Sequence, residues 1–385
     1  MKNRDGLSNR REFLKTAGVA TAGMMFSMTS ASSAMIANKV PSFLRDYRSR
    51  YRDDPRAAAT EWFRDAKFGL FMHFGLYSIV GMGEWVQLRQ KIPVAEYVTL
   101  TDRFAAENFD PDFITDLALD ANMKYVNITS RHHDSFSLFD TKYSDYNVMN
   151  TPANRDLIAG LAESCQEKDL GLFLYYSYAA DLHHPYFYSR EAGWNNGRPD
   201  YEHPQPEYKY KSKEDFRKYI DFTHGQLEEL LTNYGPLAGI WLDPIMGYYM
   251  APDLFPIEET YKIIRSKQAQ ALISFKQGAN GDEDFVAPER DPRAHPHGGE
   301  VAKLAWERNQ GKPIEICDTL QPRTWGYDMR DGQQHKTPDY VMNMLDHAKS
   351  VNANLLLNTG PLHDGSIYDQ DIQTLREVGA RLRKA

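Results

Sequence analysis

Short apolar runs of strand length recur along this chain, separated by segments with helical periodicity, and this beat restricts the fold more than any other feature of the sequence. The runs fall at 68–73, 125–130, 170–177, 237–243, 271–275 and 354–359, with a shorter one at 313–317. Between them 110–121, 155–168, 213–233, 257–267 and 338–350 read as helices, the first opened by Asp110 as N-cap and Pro111 at its first position, and a last helix follows Tyr368. Strands that alternate with helices need crossover connections and so pair in parallel. About six to eight such units fit a (β/α)8 TIM-like barrel spanning 35–385 as a single domain. The alternative, a doubly wound sheet, lacks its Gly-rich first turn here.

A parallel barrel carries its chemistry at the C-terminal ends of its strands. The run at 237–243 ends on Asp243, and Pro244 removes the next ladder donor. Its alternation sends Ala238, Ile240 and Leu242 toward the helices and puts Gly239, Trp241 and Asp243 on the opposite face. By itself Asp243 reads equally well as the cap of a following turn. His73, His132, His133, Tyr175 and Glu289 also fall at or just beyond strand ends, however, and this coincidence makes Asp243 a catalytic candidate. Parity selects Tyr175 over Tyr176, because Tyr175 shares a face with Gly171 and Phe173.

Two chemistries suit such a rim. Metal-assisted hydrolysis would use the histidine doublets His132-His133 and His183-His184, but neighbours in an extended strand point opposite ways, and the first run has no His-x-His. No metal and no other cofactor is therefore expected. Glycoside hydrolysis needs two carboxylates. Asp243 and a glutamate from the long irregular segment 276–300 would supply them, with aromatics and neutral histidines around a sugar.

The remaining features bound the setting. A net charge of −8 without a long basic run argues against a nucleic-acid partner, and 42% hydrophobic residues suffice for a large core. Arg10-Arg11 followed by Phe13-Leu14-Lys15, a weakly apolar stretch and small residues up to Ala34 resemble a twin-arginine export signal over 1–34. Export to the periplasm or the exterior is expected, with no membrane span after cleavage. Cys165 and Cys317 read as buried thiols rather than a bridge.

Several spaced motifs carry a family resemblance. Trp62-Phe63-Arg64-Asp65-Ala66-Lys67-Phe68-Gly69, His73-Phe74-Gly75-Leu76-Tyr77-Ser78, Gly83-Glu84-Trp85, Arg131-His132-His133-Asp134-Ser135-Phe136, Tyr175-Tyr176-Ser177 and Leu355-Leu356-Leu357-Asn358-Thr359-Gly360-Pro361 resemble the family 29 glycoside hydrolases, the retaining α-L-fucosidases. The resemblance implies a catalytic barrel acting on terminal fucose of glycans, with Asp243 as nucleophile forming a covalent intermediate. It points to Glu289 as acid/base, in an Asp-Phe-x-x-x-Glu setting; pairing with Arg290 or Arg293 is the structural alternative, and Glu315 and Glu300 are the substitutes. It implies a sugar-binding set of His73, Glu84, Trp85, His132, His133 and Tyr175; Trp241, Lys276 and Trp325 are further substrate-binding candidates. Lys276 stands where the family often has arginine, which keeps the charge and loses the bidentate fork. Family members commonly carry a C-terminal β-sandwich, whereas this chain stops at Ala385 after its last helix, so the resemblance suggests a single catalytic domain whose accessory cleft wall is either absent or supplied by a neighbouring subunit in an oligomer. An α-L-galactosidase on the same scaffold and an inactive sugar-binding homologue stay open as alternatives.

Overall fold

Among the described residues seven parallel strands form one sheet in the order β5-β4-β3-β2-β1-β7-β6. They are β1 (Phe68–Met72), β2 (Tyr125–Arg131), β3 (Gly171–Ser177), β4 (Gly239–Asp243), β5 (Leu272–Phe275), β6 (Glu315–Thr319) and β7 (Asn354–Thr359). The structure is a computed structural model that describes residues 40–290, 299–332 and 334–384. The expected export signal and Arg293 lie outside the described residues. All the strands belong to a compact unit that begins at Ser42.

Each strand is buried on both faces, as crossover helices on a parallel sheet require. Alternation sorts the side chains. Leu70, Met72, Val126, Ile128, Leu172, Leu174, Ile240 and Leu242 join the large core shared with the helices. Their neighbours Phe71, Tyr125, Phe173, Tyr175 and Trp241 instead pack on one another, Tyr175 stacking on Trp241 with ring centroids 5.5 Å apart. Helix Pro55–Ala66, capped by the Asp54 carboxylate on Ala57 N–H at 2.9 Å, supports this aromatic layer: Trp62 stacks on Phe173 at 6.3 Å and Phe63 meets Phe285 at 4.3 Å. Glycine is required where these rings meet the strands, because a Cβ on Gly171 would stand 2.4 Å from the Trp62 ring.

The helix starts follow their caps. Asp110 Oδ1 accepts from Asp112 and Phe113 N–H ahead of helix Pro111–Asp120, and Asp156 accepts from Ala159 N–H ahead of Leu157–Glu167. The described part of the segment expected to be irregular, 276–290, has no regular strand or helix, but its stretch 284–290 is tied to the sheet. Asp284 N–H and Ala287 N–H donate to Ile273 and Lys276 carbonyls at the edge of β5, while Val286 N–H donates to Pro313 O and Cys317 N–H to Pro288 O on the β6 side. One extended stretch therefore bonds both edges of the sheet, and a sheet whose two edges reach the same segment has to curl. Cys165 and Cys317 are free and buried. No helix among the described residues is long and apolar enough to cross a membrane.

Candidate active site

Asp243 ends β4 beside Ser177 of β3, where the Tyr178 and Ala179 N–H groups both bond its carbonyl. Its carboxylate faces the cavity. Tyr175 Oη donates to Oδ2 at 2.7 Å, His133 Nε2 lies 3.5 Å from the same oxygen, and Lys276 Nζ lies 3.4 Å from Oδ1. Burial pushes the Asp243 carboxyl above its ordinary value, against the pull of Lys276 and Tyr175. Tyr176, as parity requires, turns away and donates to Gln226.

Among the described residues three histidines line the same cavity, and burial keeps each neutral. His73 is pushed down to about 3, its hydrogen bond to Asn358 opposing the burial. Two tautomers follow from their partners. Asn358 Nδ2 donates to Trp325 O at 2.8 Å and to Thr319 Oγ1 at 2.9 Å, so Asn358 Oδ1 must accept from His73 Nδ1–H at 2.8 Å. The Ser177 hydroxyl gives its hydrogen to Ala180 O at 2.6 Å and so accepts from His133 Nδ1–H at 2.7 Å. Each ring is left with an Nε2 lone pair, suited to accept from a sugar hydroxyl.

His132 and His133 do not point opposite ways. The register of β2 against β3 shifts between Thr129 and Arg131, β2 ends at Arg131, and the two rings lie 4.0 Å apart. The parity rule fails there because the chain has left the strand. His132 stacks on Tyr175 with centroids 5.4 Å apart, and its buried Nδ1 has no hydrogen-bond partner among the described residues. His183 and His184 belong elsewhere, His183 stacking on Tyr146.

A second carboxylate reaches the cavity from the segment that spans the sheet edges. Glu289 Oε1 lies 2.5 Å from Lys276 Nζ, and this ammonium holds the Glu289 carboxyl below its usual range. Burial works against the Lys276 charge, yet Asp243 and Glu289 outweigh it and hold its pKa up. Because one nitrogen lies 3.4 Å from Asp243 Oδ1 and 2.5 Å from Glu289 Oε1, those oxygens are at most about 6 Å apart. Arg290 pairs with Asp318 and not with Glu289.

The substitute glutamates lie elsewhere. Glu315 sits beneath the cavity, fully buried, accepting from Tyr125 Oη at 2.6 Å and Trp241 Nε1 at 3.0 Å; burial raises it to about 7. Glu300 is exposed on helix Gly299–Arg308 and does not line the cavity.

The cavity, about 370 Å³, is closed in by aromatic side chains. Glu84 is buried, and its Oε2 accepts from Trp325 and Gly326 N–H at 2.8 and 2.9 Å, tying the loop after β1 to the loop after β6. This holds Trp325 5.3 Å from His73. Trp85 packs on His133 at 4.3 Å, and Trp241 lies beneath Lys276, whose ammonium is 4.8 Å from the indole centroid. The expected catalytic pair and every member of the expected sugar-binding set therefore line the same cavity. The sequence reading missed Trp194, Met246, Tyr249 and Gln277, which also line it. Tyr249 and Met246 follow Asp243 by a few residues and were accessible from that signal; Trp194 comes from a long loop and carried none.

A family model described as alpha-L-fucosidase matches residues 34–385. This chain belongs to the alpha-L-fucosidase family. Among solved structures it resembles alpha-L-fucosidase isoenzyme 1 from Paenibacillus thiaminolyticus, with 34% identity and a TM-score of 0.72, covering 86% of this chain and 76% of the other. It also resembles alpha-L-fucosidase AlfC from Lactobacillus casei in complex with alpha-L-fucose product, at 28% identity, a TM-score of 0.68 and coverage of 85% and 98%. Human plasma alpha-L-fucosidase is 26% identical over 355 residues, 84% of this chain and 67% of the relative. The chain is thus a glycoside hydrolase of the α-L-fucosidase family.

Proposed function

We propose that this fucosidase is an exo-acting enzyme that retains anomeric configuration, with Asp243 as nucleophile and Glu289 as acid/base. The observation that carries the reading is the shared Lys276 ammonium. It keeps the facing oxygens of Asp243 and Glu289 within about 6 Å, near the ~5 Å of retaining pairs and short of the ~6.5–9.5 Å that leaves room for an inverting water. In the first step Glu289 gives its proton to the glycosidic oxygen as the C1–O bond breaks and Asp243 bonds C1. In the second, water attacks C1, its proton passes to Glu289, and Asp243 leaves as carboxylate. Tyr175 Oη, 2.7 Å from Asp243 Oδ2, stabilises the carboxylate before attack and after release. His73 and His133, neutral with Nε2 free, accept from fucose hydroxyls, and the surrounding indoles cover the apolar ring face and the methyl group.

The reading extends to a (β/α)8 barrel, in which the stretch 284–290 serves as an irregular eighth stave; its hydrogen bonds to β5 and β6 support this. Export through a twin-arginine signal remains part of the proposal, on the sequence at 1–34.

The test uses an aryl α-L-fucoside. Turnover survives a chelator and falls by about three orders of magnitude or more in Asp243→Gly. Azide restores turnover to Glu289→Ala and yields an azido sugar, and the first-formed fucose is the α anomer by NMR. Rescue of Glu315→Ala instead of Glu289→Ala, or a β product, would overturn the assignment.

A further inference from the structure

Lys276 contacts both proposed catalytic carboxylates, and its two partners are held very differently. The Lys276 and Asp243 side chains are 11% and 10% exposed, whereas that of Glu289 is 50% exposed. Glu289 has room to swing; Asp243 and Lys276 do not. The backbone of Lys276 is itself constrained, with φ at +50° in the left-handed region that a residue with a Cβ avoids, in a turn closed by Gly278 N–H on Phe275 O. Such a conformation persists where its surroundings hold it, and here the ammonium is seated over Trp241 against two carboxylates.

This resting geometry is wrong for the first chemical step. A general acid must carry a proton and present it to the leaving oxygen, yet Glu289 spends an oxygen on the ammonium 2.5 Å away. We propose that Lys276 is a fixed counter-ion, shared by Asp243 and Glu289 in the resting enzyme and left to Asp243 alone once a glycoside is bound, when Glu289 swings away to meet the leaving oxygen. The inference rests on the roles assigned above to those two carboxylates. Solvent supplies the proton to the released Glu289, and the glycosidic oxygen takes it as the C1–O bond breaks. When Asp243 is esterified and loses its charge, Glu289, now a carboxylate and the base for the attacking water, is free to swing back to the ammonium.

Among the described residues, the surrounding groups leave this role to Lys276. His73 and Arg290 face Glu289, but His73 is neutral and Arg290 is engaged by Asp318. Tyr175 and His133 face Asp243, both uncharged, and the Cys317 thiol near Lys276 is kept protonated by burial.

The experiment compares pH profiles of kcat/KM on an aryl α-L-fucoside for wild type, Lys276→Arg and Lys276→Met. Removing the cation raises both carboxyls, so both limbs of the Lys276→Met profile move alkaline by about one unit or more, while Lys276→Arg keeps the wild-type limbs. A slow Lys276→Met enzyme with unmoved limbs, or Lys276→Arg shifting like Lys276→Met, would show that the lysine only packs. The wild type provides a second measurement that needs no folded variant. The ¹³C carboxyl titration of Glu289, assigned by its loss in Glu289→Gln, moves to higher pH when an S-linked α-L-fucoside saturates the enzyme; an unchanged midpoint sinks the idea. Failure of azide rescue in Glu289→Ala would instead mean that the carboxylate roles are wrong, a separate outcome.

Discussion

Asn358 and Ser177 decide what the histidines can do, although neither lines the cavity. Each fixes a proton on Nδ1 and so turns a lone pair toward the space that a sugar fills. Removing such a partner leaves a buried donor unpaired, which costs about 1–3 kcal/mol. In Ser177→Ala, His133 escapes by moving its proton to Nε2, where it points at Asp243 and no longer accepts from a hydroxyl. The expected result is a KM raised about tenfold on an aryl α-L-fucoside with a smaller change in kcat; equal KM values for variant and wild type would contradict the tautomer assignment. The positions of Asp243 and Tyr175 were legible from strand parity. The roles of Asn358 and Ser177 were not, because they depend on which atom already has a partner.

At the scale of elements, β4 places Asp243, the backbone just beyond β5 and beside β6 places Lys276 and Glu289, and loops supply much of the wall. The loop across 183–212 is irregular but internally braced: Arg198 donates to Phe187 O at 3.1 Å and lies over the Tyr208 ring at 3.8 Å, and Tyr201 Oη bonds Ile92 O at 2.7 Å. This framework holds Trp194 edge-on to Trp85, 5.9 Å between centroids, at the cavity wall. A flat indole beside the fucose site is suited to the leaving-group sugar. Trp194→Ala is expected to lower kcat/KM on a fucosyl disaccharide about tenfold, or 1.4 kcal/mol, while sparing α-L-fucosyl fluoride, whose leaving group reaches no wall. Equal losses on both would place Trp194 in support of Trp85 instead. A long loop has no periodicity from which such a contact can be read. The stretch at 284–290 was hidden for a related reason: its bonds run to two distant edges, and its own side chains form no alternating pattern.

For the whole molecule, the buried neutral histidines tie stability to pH. Their native values lie below the ordinary 6.5, so unfolding takes up protons as pH falls from about 6.5 toward the value of about 3 for His73. Stability from this source is present above pH 6.5 and is lost below it, at up to about 1.4 kcal/mol per pH unit for each histidine. Glu315, raised to about 7, and Asp134, raised to about 6, act in the opposite sense, adding stability at low pH that is lost as pH rises through those values. The difference between wild type and His73→Gln in urea melts isolates the first effect. The variant is expected to lose stability less steeply between pH 6.5 and 4, and parallel slopes would refute the neutral assignment.

What the sequence determined by itself follows from local rules: alternation and helical periodicity set the parallel α/β architecture, caps set helix starts, and strand ends marked Asp243, His73 and Tyr175. The spaced motifs then indicated the family. The motif resemblance pointed to Glu289, and the tertiary structure decided that it, rather than Glu315 or Glu300, shares the cavity with Asp243 and that one lysine lies between them. The reason is geometric. Glu315 and Glu289 both come from strand-like backbone near the same edge, Glu289 bridging to Cys317 two residues beyond Glu315, but one side chain points beneath Trp241 and the other meets Lys276 at the rim. That choice depends on how far each residue lies along the axis of a curled sheet, a distance set by register between segments far apart in the chain.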